Sequence, residues 1–184
     1  MKNRAHDLVA YSFRKEETLL FDTNIWLYLF PAPSNPSPAF APKYSDAFKR
    51  IRLAGSPVAL DTLILSEYVN RYCQIEWIAL HRNRFVNFKD FRQSNAFSSV
   101  GQGAATLVRN ILKLSSRCDH PLSTLNIEQV LADFESGRCD LNDGLLIETC
   151  RLNGWKLVTH DGDCSSGGID VITTNSKLLA ACAL

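Results

Sequence analysis

The chain has no surplus of either charge: 20 Lys and Arg stand against 19 Asp and Glu in 184 residues, a formal net charge of +1. That balance excludes a polycation that grips nucleic acid through bulk charge alone. No stretch carries the roughly 18 uninterrupted apolar residues of a membrane-spanning helix. The opening run, MKNRAHDLVAYSFRKEE, lacks the apolar core of a secretory leader, so a cytoplasmic location is expected. The six cysteines (Cys73, Cys118, Cys139, Cys150, Cys164 and Cys182) form no C-x-x-C pair and no zinc-like cluster, which points to reduced thiols. With four histidines there is no His-rich metal set, and the nine glycines build no Walker loop. The low hydrophobic content of a disordered chain is missing too, since 46% of residues are hydrophobic and 21% charged. The length suits one domain with a sizeable core, or one domain carrying an insertion.

What is present is an alternation of short apolar runs and helical patterns. Thr18 to Phe21 reads as a buried strand ending at Asp22, and Ile25 to Phe30 as a short helix. The prolines from Pro31 to Pro42 mark a loop. A helix is expected over Lys43 to Leu53, ending near Gly55, and a strand over Val58 to Leu60. Leu63 to about His81 is the clearest helix, with Glu67, Arg71, Gln74 and His81 along its polar face. Residues 82–135 are expected to be mainly helical, over Ala104 to Leu114 and Ile127 to Phe134, with a Ser/Gly break around Ser98 to Gly103. Asn142 then caps a helix through Leu152, stopped by Gly154. Strands follow over Lys156 to Thr159 and Ile169 to Thr173, and Ser176 caps a last short helix. Residues 1–17 read as an arm or a first short helix. Strands alternating with helices predict an α/β fold around a mainly parallel sheet.

In such a sheet, ligands bind at the carboxyl ends of the strands. Asp22 ends the first strand and Asp161 follows the strand Lys156 to Thr159. Asp143 opens the helix that feeds that strand, and Glu67 lies about one turn into the helix after the second strand. Four separate segments therefore bring acids to one rim, with Asp140 and Asp163 nearby. Each has a plainer reading: an Asx-turn or cap for Asp22, an ion pair with Arg71 for Glu67, a helix-dipole partner for Asp143, a turn at Asp161-Gly162. Together they point elsewhere. Converging carboxylates repel one another unless a cation intervenes, and hard divalent ions want such oxygens. The matching chemistry is hydrolysis of a phosphate ester by metal-activated water.

The run Leu20-Phe21-Asp22-Thr23-Asn24, the later Leu65-Ser66-Glu67, the helix opening Asn142-Asp143, and Leu157-Val158-Thr159-His160-Asp161-Gly162-Asp163 resemble the PIN-domain nucleases. In this order they span residues 19–173. The resemblance implies a three-layer α/β/α sandwich with a helical insertion over 82–135, an N-terminal extension over 1–17, and the nuclease domain over 18–184. It also implies Mg²⁺- or Mn²⁺-dependent ribonuclease activity, endonucleolytic rather than exonucleolytic. By position, Asp22, Glu67, Asp143 and Asp161 match the family's metal-binding acids. Asn24 and Thr159 match polar neighbours of the first and last of these. Asp163 matches an acid that some members have, and Asp140 has a family-like location. Many members, the VapC-like ones, are toxins with an antitoxin partner, and homodimers are a family expectation. Two departures stand out: Cys164 occupies a position that is commonly aromatic, and the chain is longer than the small toxins.

For the RNA substrate, the densest basic segment is His81-Arg82-Asn83-Arg84, interleaved with Phe85, Phe88 and Phe91. Arg82 and Arg84 with these rings fit a stacking surface for unpaired bases; a solvated helix end over three core phenylalanines is the plainer reading. A non-catalytic RNA-binding or scaffold protein is the main alternative to a ribonuclease, and four retained acids argue against it. A haloacid-dehalogenase-type phosphohydrolase would need an acid where Asn24 stands.

Overall fold

The structure, a computed structural model, describes residues 1–183. Its centre is built from short, largely apolar strands. β2 (Leu19–Phe21) and β3 (Val58–Leu60) are buried throughout, and β5 (Lys156–Val158) and β6 (Asp170–Thr173) are buried beyond their first residues. Such runs, with no polar alternation, suit strands covered on both faces. Two polar strands complete the sheet, β1 (Arg4–Asp7) and β4 (Ser116–Arg117). The order is β1-β6-β5-β2-β3-β4, and every pair is parallel. With helices over the sheet, the fold is the expected three-layer α/β/α sandwich.

The helices are α1 (Thr23–Leu29), α2 (Ala41–Ala54), α3 (Thr62–Glu76), α4 (Phe88–Arg92), α5 (Phe97–Leu114), α6 (Ile127–Glu135), α7 (Leu141–Asn153) and α8 (Ser176–Ala181). Trp26 on α1 is wholly buried against Phe21 and Phe48. From β2 the chain winds outward through β3 to β4, then returns to the other side of β2 as β5 and winds outward again to β6. The crevice between β2 and β5 is thus a topological switch point, where parallel sheets place their ligands.

Several expectations need correction. Residues 4–7 are neither an arm nor a helix: they form the edge strand β1, held parallel to β6 in the register Arg4 opposite Asp170. Pro42 does not close the loop but lies in the first turn of α2, where its missing N–H costs nothing. Ser98 to Gly103 is no break, because α5 runs straight through it. A Cβ at position 103 would stand 2.8 Å from the Tyr72 hydroxyl, so that glycine lets α5 press against α3. Asp140 caps α7 rather than Asn142, and Asn175 caps α8 rather than Ser176. α3 ends at Glu76 and gives way to a π-helical turn over Trp77–His81. The stretch 82–135 is mainly helical, as expected, but also supplies β4. Gly154, at φ 66°, ends α7 as the spacing predicted. All six cysteines are free thiols. Among the described residues no helix is long and apolar enough to cross a membrane.

Candidate functional site

The sheet register brings the first and last acids together. Phe21 lies opposite Val158, so the next residues along, Asp22 and Thr159, emerge side by side from β2 and β5. The Asp22 backbone N–H donates to the Val158 carbonyl at 3.0 Å. The Thr159 hydroxyl then donates to Asp22 Oδ2 at 2.6 Å and accepts from the Asp161 backbone N–H at 2.9 Å. Asn24 Nδ2 donates to the same Asp22 oxygen at 2.5 Å, and Asn24 Oδ1 accepts from the His160 N–H at 3.3 Å. Asn24 and Thr159 therefore tie the first and last acid-bearing loops together.

Glu67 arrives on α3. It accepts from the Thr23 hydroxyl at 3.1 Å and from Arg71 Nε at 3.2 Å. The ion pair read from the sequence is real, yet Glu67 still borders the shared cavity. Asp143 arrives in the first turn of α7, where its backbone N–H donates to the capping Asp140 at 2.8 Å. A cavity of about 370 Å³ is lined by Asp22, Glu67, Asp140, Asp143 and Asp161, together with Thr23, Asn24, Tyr28, Arg71, Asn142 and His160. Asp163 lies outside it. It is exposed, and its backbone N–H donates to Asp161 Oδ1 at 2.9 Å, fixing the turn that holds Asp161.

Electrostatics report the same convergence. Burial pushes the Asp22 carboxyl up to about 6, against the hydrogen bond from Thr159, and Glu67 and Asp161 push it further. Asp143 is pushed up to about 8, first by burial and then by Asp140, Asp22, Asp161 and Glu67. Among the described residues the one cation on the cavity wall is Arg71, already paired with Glu67. A site of oxygen donors with unbalanced negative charge has the chemistry that a hard divalent ion requires. Among the described residues no three His, Cys, Asp or Glu side chains yet stand close enough together to grip one ion. The acids face one cavity but not one point.

Opposite Arg71 the wall is aromatic. His160 lies flat on Phe40, with ring centroids 3.6 Å apart, and its Nδ1 is 2.9 Å from the Tyr44 hydroxyl. Tyr28 stands edge-on to His160, and burial followed by Tyr44, Asp22 and Asp161 pushes its phenol up to about 12. Sequence reasoning missed Thr23, Tyr28 and His160. One signal was available: Asn24 and Tyr28 are four residues apart on α1 and so share a face.

Arg82 and Arg84 line neither this cavity nor its margins. They are exposed beyond the π-helical turn, about 20 Å along the helix axis from Glu67. Phe91 is fully buried, and Phe85 and Phe88 pack against the core, so the interleaved rings are core residues, the plainer reading of that segment. A larger cavity, about 630 Å³, lies elsewhere, between α6, α7 and the turn at Gly167. Its charges are already spent on each other, Arg138 on Asp133 and Arg151 on Glu148.

A sequence model described as the PIN domain matches residues 19–170. No curated protein matches the chain.

Proposed function

The chain belongs to the PIN domain family, and from that premise we propose that it is a metal-dependent ribonuclease working at the acidic cavity. Members of this family are nucleases in general. The narrower assignment rests on one observation: four carboxylates from four segments border one cavity, where burial and then their mutual repulsion raise the proton affinity of Asp22 and Asp143. Asp22, Glu67, Asp143 and Asp161 are the residues that would hold Mg²⁺ or Mn²⁺, with Asp140 beside them. The bound ion would supply a water of lowered pKa and offset charge on the scissile phosphate. Thr159 and Asn24 keep Asp22 aimed into the cavity, and Thr23 and Arg71 do the same for Glu67. Asp163 is placed to shape the Asp161 turn rather than to bind the ion. The cavity continues into a groove along α3 that shares Glu67, Arg71 and Asn142 with it. A strand seated at the acids could run on along this groove, and the cutting is proposed to be endonucleolytic, as the resemblance implies.

The test is cleavage of a mixed RNA pool with Mn²⁺ or Mg²⁺, with and without chelator, by wild type and Asp22→Ala. Cleavage that needs the metal and disappears in Asp22→Ala is expected. Cleavage that survives both chelator and substitution contradicts the proposal. A toxin role would additionally require an antitoxin chain that co-purifies and silences this cleavage.

A further inference from the structure

Beside the acidic cavity lies a groove of about 270 Å³ lined by Leu63, Ser66, Glu67, Asn70, Arg71, Gln74 and Asn142. Apart from Asn142, these positions fall at spacings of three and four along α3, so they form one stripe on the helix. Ser66, Asn70 and Gln74 are exposed, and their side chains make no hydrogen bond among the described residues. From Glu67 to Gln74 the stripe covers about 10 Å. The acidic cavity itself is lined by Tyr28 and His160, which the groove does not share and whose rings are braced by Phe40 and Tyr44.

We infer that the substrate strand crosses the acids with an unpaired base against Tyr28 and His160, and leaves along α3, where Asn70, Gln74 and Ser66 select RNA over DNA. The inference deepens the nuclease assignment above and rests on it. Its chemistry follows from which groups line the track. Only Arg71 is cationic, so phosphate attraction is small, and one such contact gives a salt slope near −0.7 on a logarithmic plot for a single strand. Amide and hydroxyl side chains both donate and accept, which matches a ribose 2′-hydroxyl and offers nothing equivalent to deoxyribose. The aromatic end is indifferent to the sugar, because every base has a face to stack. It does require that the base be out of a helix. Affinity and sugar discrimination are thus assigned to different residues, and neither to Arg82 or Arg84.

The two roles separate in a binding experiment that involves no turnover. Full-length Asp143→Asn protein is titrated into fluorescein-labelled single-stranded RNA, DNA of the same sequence, and the RNA annealed to its complement, and anisotropy is read. Single-stranded RNA is expected to bind about tenfold more tightly than DNA or duplex. Adding Asn70→Ala and Gln74→Ala should bring the RNA-to-DNA ratio to about one, whereas Tyr28→Ala should weaken both single strands by a similar factor of about ten. Arg82→Ala with Arg84→Ala should leave RNA affinity within about twofold and the salt slope unchanged. The near-isosteric Asn70→Asp, which removes the donors but keeps the shape, should also lower the ratio. Equal affinity for RNA and DNA in the parent, or a ratio that survives the α3 substitutions, overturns the inference. So does binding that collapses when Arg82 and Arg84 are removed. If the pattern holds while wild type fails to cut RNA, the nuclease assignment falls and the track stands; cutting without the pattern is the reverse result.

Discussion

Asp143 shows what a carboxylate half-buried among other acids costs the fold. Its proton affinity is raised from the ordinary 3.8 to about 8. The folded state therefore binds this proton more tightly than the unfolded one, and ionising the group opposes folding. Metal-free protein should lose stability as pH rises from about 4 towards 8 on account of this residue. Asp143→Asn removes the penalty, so with chelator at about pH 8 it should melt higher than wild type by about 2–4 °C, and the gap should narrow as pH falls and close near pH 4. Added Mn²⁺ should raise the melting temperature of wild type and leave the variant unmoved. A variant that melts lower than wild type at pH 8 would show that the carboxylate is not held against its neighbours. Thr159 presents the opposite case, since its hydroxyl serves a buried acid and the adjoining loop at once. Thr159→Val should lower thermal stability by about 1–3 kcal/mol and reduce the maximal rate more than substrate affinity, as measured by steady-state kinetics.

At the scale of elements, α7 carries the clearest ambiguity, because Asp140 both caps it and borders the cavity. Asp140→Ala should cost about 1 kcal/mol through the lost cap. Asn caps as well as Asp but cannot serve as an anionic ligand. If Asp140 acts as a cap, Asp140→Asn restores both the melting temperature and the rate; recovery of the melting temperature alone makes it a ligand. The elements also differ in how far the sequence revealed them. β2, β3 and β5 were legible because each is an apolar run ended by an acid, a loop or a polar turn, and buried parallel strands look like that. β1 and β4 were not, since Arg4–Asp7 and Ser116–Arg117 carry polar side chains, and their strand character comes only from partners far along the chain. The glycines of α5 looked like a break because composition does not reveal that Tyr72 lies where a Cβ at 103 would go. The acids were legible because topology alone sends them to one edge. Tyr28 and His160 were not, because an aromatic in α1 or between Thr159 and Asp161 reads equally well as core.

Across the whole molecule, charge is neutral in sum and segregated in space. Acids gather at the carboxyl ends of the strands, while Asp170, at the start of β6, gathers nitrogen donors instead: Arg4 at 2.5 Å, His6 at 2.9 Å and Lys156 at 3.5 Å. Hydrogen bonding from Arg4, aided by His6 and Lys156, holds the Asp170 carboxyl well below the usual carboxylate range. Its contribution to stability is complete above the unfolded value and declines as pH falls through the folded one. Asp170→Asn should therefore lower the urea midpoint at neutral pH, by a margin that narrows steadily below about pH 4; a margin that does not change with pH would contradict the pairing. This cluster fastens β1, β5 and β6, and so supports β5, which bears Thr159 and Asp161 at its far end. The two poles differ: the charge of Asp170 is met within the protein, and that of the acidic cavity is not. The central claim, that the unsatisfied pole holds a divalent metal, is tested most directly by soaking crystals with Mn²⁺ and recording anomalous diffraction. The account predicts ordered manganese among the carboxylates of Asp22, Glu67, Asp143 and Asp161. A map with no manganese there, or with manganese only at Asp163 or in the larger cavity beside α6, would contradict it.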